Sequence, residues 1–137
     1  MIEYIVNTNS GCMIYQEEGN KLMKCSNLSY VKSLCVEHLF TYDGYLKAVK
    51  MKFDISHKIP LFITESIQLI PLSRTRDYEN IWINYATIYK IEEIDTLLKI
   101  TFYSHQYIYL KISLKTLKQQ IKYLDEIRNT KVKHFHC

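Results

Sequence analysis

The sequence predicts a mainly β fold of the α+β class: a small curved sheet or barrel closed by one C-terminal amphipathic helix. Three observations carry this. Short β-favouring runs bounded by polar turn residues fill most of residues 1–98. Residues 97–113 alternate apolar and polar on both sides of a short turn, the pattern of a hairpin with one buried face. An apolar stripe of helical spacing then follows Ser113. At 137 residues the chain fits a single domain, expected over 1–129 with a short basic tail at 130–137.

Ile2 to Val6, Cys12 to Tyr15 and Leu22 to Cys25 read as strands, with Glu17-Glu18-Gly19-Asn20 as a turn. Leu28 to Phe40 is ambiguous: Val31, Leu34, Cys35, Leu39 and Phe40 have a spacing that permits a short helix. Asp43-Gly44 signals a turn, with Gly44 suited to a positive φ. Leu46 to Ile55 alternates in part and reads as a strand. Pro60 to Ile63 and Ile67 to Ile70 form a hairpin around Glu65-Ser66. Pro71 through Asn80 is a polar connection, and Ile81 to Ile91 reads as one long strand. In the next hairpin Leu98, Ile100, Phe102, Ile108, Leu110 and Ile112 share one face. Lys99, Tyr103, Tyr107, Tyr109 and Lys111 share the other, which meets solvent, a partner or another element. Ser113 is the N-cap of a helix whose Leu114, Leu117, Ile121, Leu124 and Ile127 make the apolar stripe. Lys115, Lys118 and Lys122 repeat at the same spacing on a different face, and the helix is expected to end near Asn129. About seven strands followed by one helix is also the order of a pleckstrin-homology-like barrel, an analogy of topology alone.

Hydrophobic residues at 47% and charged residues at 23% exclude a mainly disordered chain. No apolar run is long enough to cross a bilayer, and MIEYIVNTNS has no basic flank before an apolar core, so the cytoplasm is the expected location. The net charge of +4 is uneven. Residues 1–98 hold 10 Lys/Arg against 12 Asp/Glu, whereas 99–137 hold 8 Lys/Arg against only Asp125 and Glu126. A basic C-terminal third points to an anionic partner: nucleic acid, a membrane surface or an acidic protein. With arginines scarce, a lysine row attracts phosphates without reading bases, and A–T-rich minor grooves suit that mode. The twelve tyrosines fit base stacking, but core or interface rings with a wet hydroxyl are the commoner use.

Cys12, Cys25, Cys35 and Cys137 form no CxxC pair, and reduced thiols are expected, with Cys12 and Cys25 as small core residues on strands. His134-Phe135-His136-Cys137 holds metal-capable side chains on a terminus with nothing to orient them, so no metal is expected. No GxSxG, HExxH, Walker A or GxGxxG pattern occurs, so no enzyme activity and no cofactor is expected. His57, in Ser56-His57-Lys58, reads as a loop residue satisfying backbone groups rather than an acid–base group. Ser73-Arg74-Thr75-Arg76 is either a phosphate grip of guanidinium and hydroxyl donors or a turn with solvated arginines.

One ordered set of features narrows these choices. It runs Cys35, Tyr42-Asp43-Gly44, Ile55-Ser56-His57-Lys58-Ile59-Pro60, Leu69-Ile70-Pro71-Leu72-Ser73, Thr75-Arg76 and Trp82-Ile83. This resembles the ComK family of bacterial competence transcription factors, most densely in the middle third. The resemblance implies a DNA-binding activator of DNA-uptake genes, acting as a homo-oligomer on paired A–T-rich boxes, largely through the minor groove. It implies no enzyme activity and no cofactor; no membrane partner is expected. Lys58, Arg74 and Arg76 are the first candidates for DNA contact. Lys47, Lys50 and Lys52, on the expected strand before Ile55, come second, and Lys115, Lys118 and Lys122 third. Trp82 is expected in the core or an interface rather than as a DNA wedge. Longer members carry a Gly/Ser-rich stretch where this chain has Val36-Glu37-His38-Leu39-Phe40-Thr41, and a basic residue where Tyr45 follows Gly44. They also carry a charged extension that serves an adaptor and protease; this chain stops at Cys137, and an adaptor partner is left open. A reading of another class stays beside this one: a non-enzymatic protein- or lipid-interaction module docking through Tyr103, Tyr107 and Tyr109.

Overall fold

The computed structural model describes the backbone of residues 1–135 and side chains through Lys133. Strand β1 (Ile2–Thr8) pairs with β2 (Gly11–Gln16), which pairs with the short β3 (Lys21–Met23). On its other side β1 pairs with β6 (Ile81–Asn84), followed by β5 (Ile67–Pro71) and β4 (Leu61–Thr64). The six strands make one antiparallel sheet in the order β3-β2-β1-β6-β5-β4. A second antiparallel sheet holds β7 (Ile88–Ile94), β8 (Leu97–Phe102) and β9 (Tyr107–Leu110). Neither sheet closes, so the fold takes the open, not the barrel, form of the prediction.

Two helices stand between β3 and β4. Helix α1 (Asn27–Glu37) settles the ambiguous 28–40 segment: the Ser26 hydroxyl caps it, accepting from the Ser29 amide at 3.1 Å, and Val31, Leu34 and Cys35 make its buried face. Helix α2 (Tyr42–Phe53) replaces the strand expected from Leu46 to Ile55. That segment carries both periods, and the helical one wins because Tyr42, Tyr45 and Val49 fall on one side and are buried together. The termini agree: Thr41 caps the Gly44 amide at 3.1 Å, Asp43 sits in the positive first turn, and Lys50 and Lys52 sit in the negative last turn. Gly44 is therefore helical, without the positive φ expected of a turn. Its missing Cβ matters differently, since an added carbon would stand 2.7 Å from the Thr41 hydroxyl oxygen.

The long strand expected from Ile81 to Ile91 is broken in two. Asn84 is fully buried and uses all four of its hydrogen-bonding positions. Its Oδ1 accepts from the Gln68 amide at 2.9 Å and the Ala86 amide at 3.2 Å. Its Nδ2 donates to the carbonyls of Ile2 at 2.7 Å and Ser66 at 2.9 Å. The bond to Ala86 opens a 3-10 turn (Tyr85–Thr87) that carries the chain from one sheet to the other. Between the sheets Tyr4 lies stacked against Tyr15 at 4.4 Å and Phe102 at 5.6 Å.

Ser113 caps the C-terminal helix α3 (Leu114–Phe135) as expected, accepting from the Thr116 amide at 3.1 Å. Leu117, Leu124 and Ile127 are buried, and Leu114 and Ile121 are partly buried against the same core. The helix runs past the expected end at Asn129 because Lys131 finds a seat. Its ammonium lies 4.8 Å from the Phe40 ring centre, 5.2 Å from Tyr45 and 5.9 Å from Phe62. The His134-Phe135-His136-Cys137 side chains lie outside the described residues. Trp82 is a core residue with no exposure, its ring meeting Tyr42 edge-on at 6.3 Å. Cys12 is buried as expected, and burial pushes its thiol up to about 11. Cys25 differs, lying half-buried just beyond β3.

Two outcomes follow for stability. Asn84→Ala leaves one buried and three part-buried backbone groups unpaired and is expected to lower the unfolding free energy by about 3 kcal/mol in a denaturant titration. Burial pushes the phenols of Tyr30 and Tyr42 up, and that of Tyr4 up to about 12. A phenol raised in the folded state leaves stability untouched below the unfolded value of about 10 and erodes it as pH climbs toward the folded value. Circular dichroism and tyrosinate absorbance, followed together, are expected to show cooperative unfolding between pH 10 and about 12.

Candidate functional site

The segment joining α2 to β4 turns sharply. Asp54 and Lys58 both take left-handed backbone angles, φ 55° and 49°. Ile55 and Ile59 are buried, and these two apolar anchors leave Ser56 and His57 exposed and Lys58 half-exposed. Tyr45 fixes the far end: its hydroxyl donates to the Pro60 carbonyl at 2.8 Å and accepts from the Phe62 amide at 3.1 Å. Enclosure pushes the Tyr45 phenol well above its ordinary value.

The connection from β5 to β6 carries the arginines. Its base is tied by the fully buried Asn80, whose Oδ1 accepts from the amides of Leu72 at 3.0 Å and Ser73 at 2.9 Å. The Asn80 carbonyl accepts from Asn27 Nδ2 at 2.7 Å, and the Asn27 amide donates to Asn7 Oδ1 at 2.7 Å. Asn7 Nδ2 closes the set on the Tyr78 carbonyl at 3.0 Å. The loop is thus fastened to β1 and to the first turn of α1, while Arg74 and Arg76 stand exposed at its tip. Arg74 pairs with Asp77 at 3.3 Å, and Arg76 has no carboxylate within 4 Å among the described residues.

The two loops face each other across a cavity of about 450 Å³ lined by Tyr42, Lys50, His57, Lys58, Arg74, Thr75 and Arg76. A second cavity of about 410 Å³ shares His57 and Lys58 and adds Lys115, Gln119, Gln120 and Tyr123. A third, of about 640 Å³, shares Lys115 and Gln119 and adds Lys118, Lys122 and Glu93. The three abut, so the cations form one groove from the arginine loop, over Lys58, to the first turns of α3. Tyr42 and Gln120 are buried in its walls, and Gln120 Oε1 makes no hydrogen bond among the described residues. Among the described residues the lining holds two carboxylates, Asp77 and Glu93, against seven lysines and arginines, so its formal charge is positive.

Lys58, Arg74 and Arg76 come together as a set. Lys50 and the row Lys115, Lys118 and Lys122 join them. Lys47 and Lys52 lie outside the groove. They sit on α2 rather than on a strand, and a helix turns Lys52 about 200° away from Lys50. As anchors, Asn27, Asn80, Tyr42 and Tyr45 were missed by sequence reasoning, which named Tyr42 and Tyr45 only in and beside the Tyr42-Asp43-Gly44 family feature. Each is an ordinary polar residue there, and only Asn80, directly before a strand, hinted at a loop boundary. Among the described residues no cluster of metal-ligating side chains occurs, and no helix is long and apolar enough to cross a membrane.

No curated protein and no solved structure matches the chain. A family model described as ComK protein matches residues 2–133, nearly the whole length. Of the expected family features, Tyr42, Ser56-His57-Lys58-Ile59 and Thr75-Arg76 line the groove while Cys35 and Trp82-Ile83 lie in the core, and the chain belongs to the ComK family of competence transcription factors.

Proposed function

We propose that this chain activates competence genes in the cytoplasm by binding A–T-rich duplex DNA in the cationic groove, as a homo-oligomer on paired boxes. The observation that carries the reading is the convergence of Arg74, Arg76, Lys50, Lys58 and Lys115 on one groove with little opposing charge. Phosphates displace counterions when such a row engages them, which supplies affinity without sequence reading. Arg76, exposed at a loop tip and free of a carboxylate, suits the enhanced negative potential of a narrow A–T minor groove. Lys115, Lys118 and Lys122 reach the flanking backbone, and the Ser56 and Thr75 hydroxyls add phosphate donors.

The test is a titration of fluorescent A–T-rich and G–C-rich duplexes at several salt concentrations. The A–T-rich duplex is expected to bind more tightly, and Lys115→Ala is expected to flatten the slope of log K against log salt by about 0.9. Arg76→Ala is expected to weaken binding by about 1–3 kcal/mol and to narrow the A–T preference. Equal, feeble binding to both duplexes sinks the proposal. Asn80→Ala leaves every cation in place but frees the loop that carries two of them. It is expected to lower stability by about 1–3 kcal/mol and to weaken duplex binding even at temperatures where the fold is intact by circular dichroism.

A further inference from the structure

The second sheet turns its two faces to different surroundings. Leu98, Ile100, Phe102 and Leu110 point into the core and are buried. The strand register places the outward residues in rows: Glu92, Lys99 and Tyr109 in one, and Lys90, Thr101 and Tyr107 in the next. Tyr89 and Tyr103 complete the array at the turn end, their rings meeting edge-on at 5.4 Å. Tyr107 and Tyr109 meet edge-on at 5.7 Å. No element among the described residues covers this face, and Tyr89, Tyr103, Tyr107 and Tyr109 are 64%, 65%, 54% and 50% exposed. Lys90 is held by Glu92 at 3.6 Å, which leaves Lys99 and Lys111 as surplus positive charge. The Lys99 ammonium is held above the Tyr107 ring at 4.5 Å from its centre.

We propose that this outward face binds single-stranded DNA, as a surface separate from the cationic groove. Four hydroxylated rings in solvent are stacking platforms that any unpaired base can use, and lysines held among them meet the connecting phosphates. A duplex offers nothing to such rings, because its bases are already stacked. A second copy of the chain would bring Lys99 and Lys111 against the same charges, whereas a polyanion complements them. Nothing on the face requires a ribose 2′-hydroxyl, and the proposal commits to the deoxy strand, the chemistry of the duplex in the reading above.

The full-length chain is titrated with labelled oligo(dT) and, separately, with an A–T-rich duplex. Oligo(dT) is expected to bind. Tyr107→Thr with Tyr109→Thr, which keeps β propensity, is expected to weaken that binding at least about ten-fold and leave the duplex affinity unchanged. Tyr103→Thr, outside the strands, reports independently should the double variant fail to fold, with about five-fold or greater weakening expected. Tyr107→Phe keeps the ring and is expected to bind as before. Arg76→Ala is expected to do the converse, impairing the duplex alone. The proposal is overturned by absence of oligo(dT) binding at low salt, by an affinity insensitive to the tyrosines, or by tighter binding of oligo(U). It is equally overturned if Arg76→Ala removes both activities, which places the single strand in the groove, or if the tyrosine variants lose self-association instead.

Discussion

The buried Asn80 side chain is the constraint on which the positive groove depends. A nine-residue connection bearing two arginines has no reason of its own to hold one shape. Its apolar residues are few, and its cations repel one another. Asn80 Oδ1 accepts two backbone amides at the start of the connection while its own backbone carbonyl is held by Asn27. In a low-dielectric interior such bonds are strong when made and costly when broken. The guanidinium groups are therefore displayed from a frame whose rigidity comes from the sheet and α1, not from the loop.

Holding like charges near one another is unfavourable, and the fold tolerates this by leaving most of them wet. The groove lysines and arginines are exposed or half-exposed, so water and salt screen their mutual repulsion. What is buried beneath them is neutral: Tyr42, Gln120, Ile55 and Ile59. Lys131, also exposed as a residue, differs in what its ammonium touches. It lies against Phe40, Tyr45 and Phe62, where desolvation lowers its pKa, and its role is to seat the helix rather than to attract a ligand.

Much of this was legible in the chain. The 97–110 hairpin, the Ser113 cap and the apolar stripe of α3 follow from periodicity, because each is a local pattern with one dominant period. Lys58, Arg74 and Arg76 were recognisable from loop composition and family pattern. Helix α2 was not, since Leu46 to Phe53 satisfies two periods at once and the choice is made by Tyr42, Tyr45 and Val49 finding a common core. The break after Asn84 was hidden for a related reason: an asparagine within an apolar run reveals nothing of the four partners waiting for it. Long-range partners such as Asn27 with Asn80 are invisible to any window of sequence.

Helix α3 borders the groove with its first turns and rests on β4 with its last, so it works as a lever. About 24 Å of helix separates Lys115 from Lys131 at 1.5 Å per residue. A tilt of about 5° about the aromatic seat of Lys131 would sweep Lys115 through roughly 2 Å, a sizeable fraction of the spacing between adjacent phosphates. The distance between the arginine loop and the lysine row therefore depends on the seating of α3 along its whole length, by Leu117, Leu124 and Ile127 in the core and by Lys131 against its three rings.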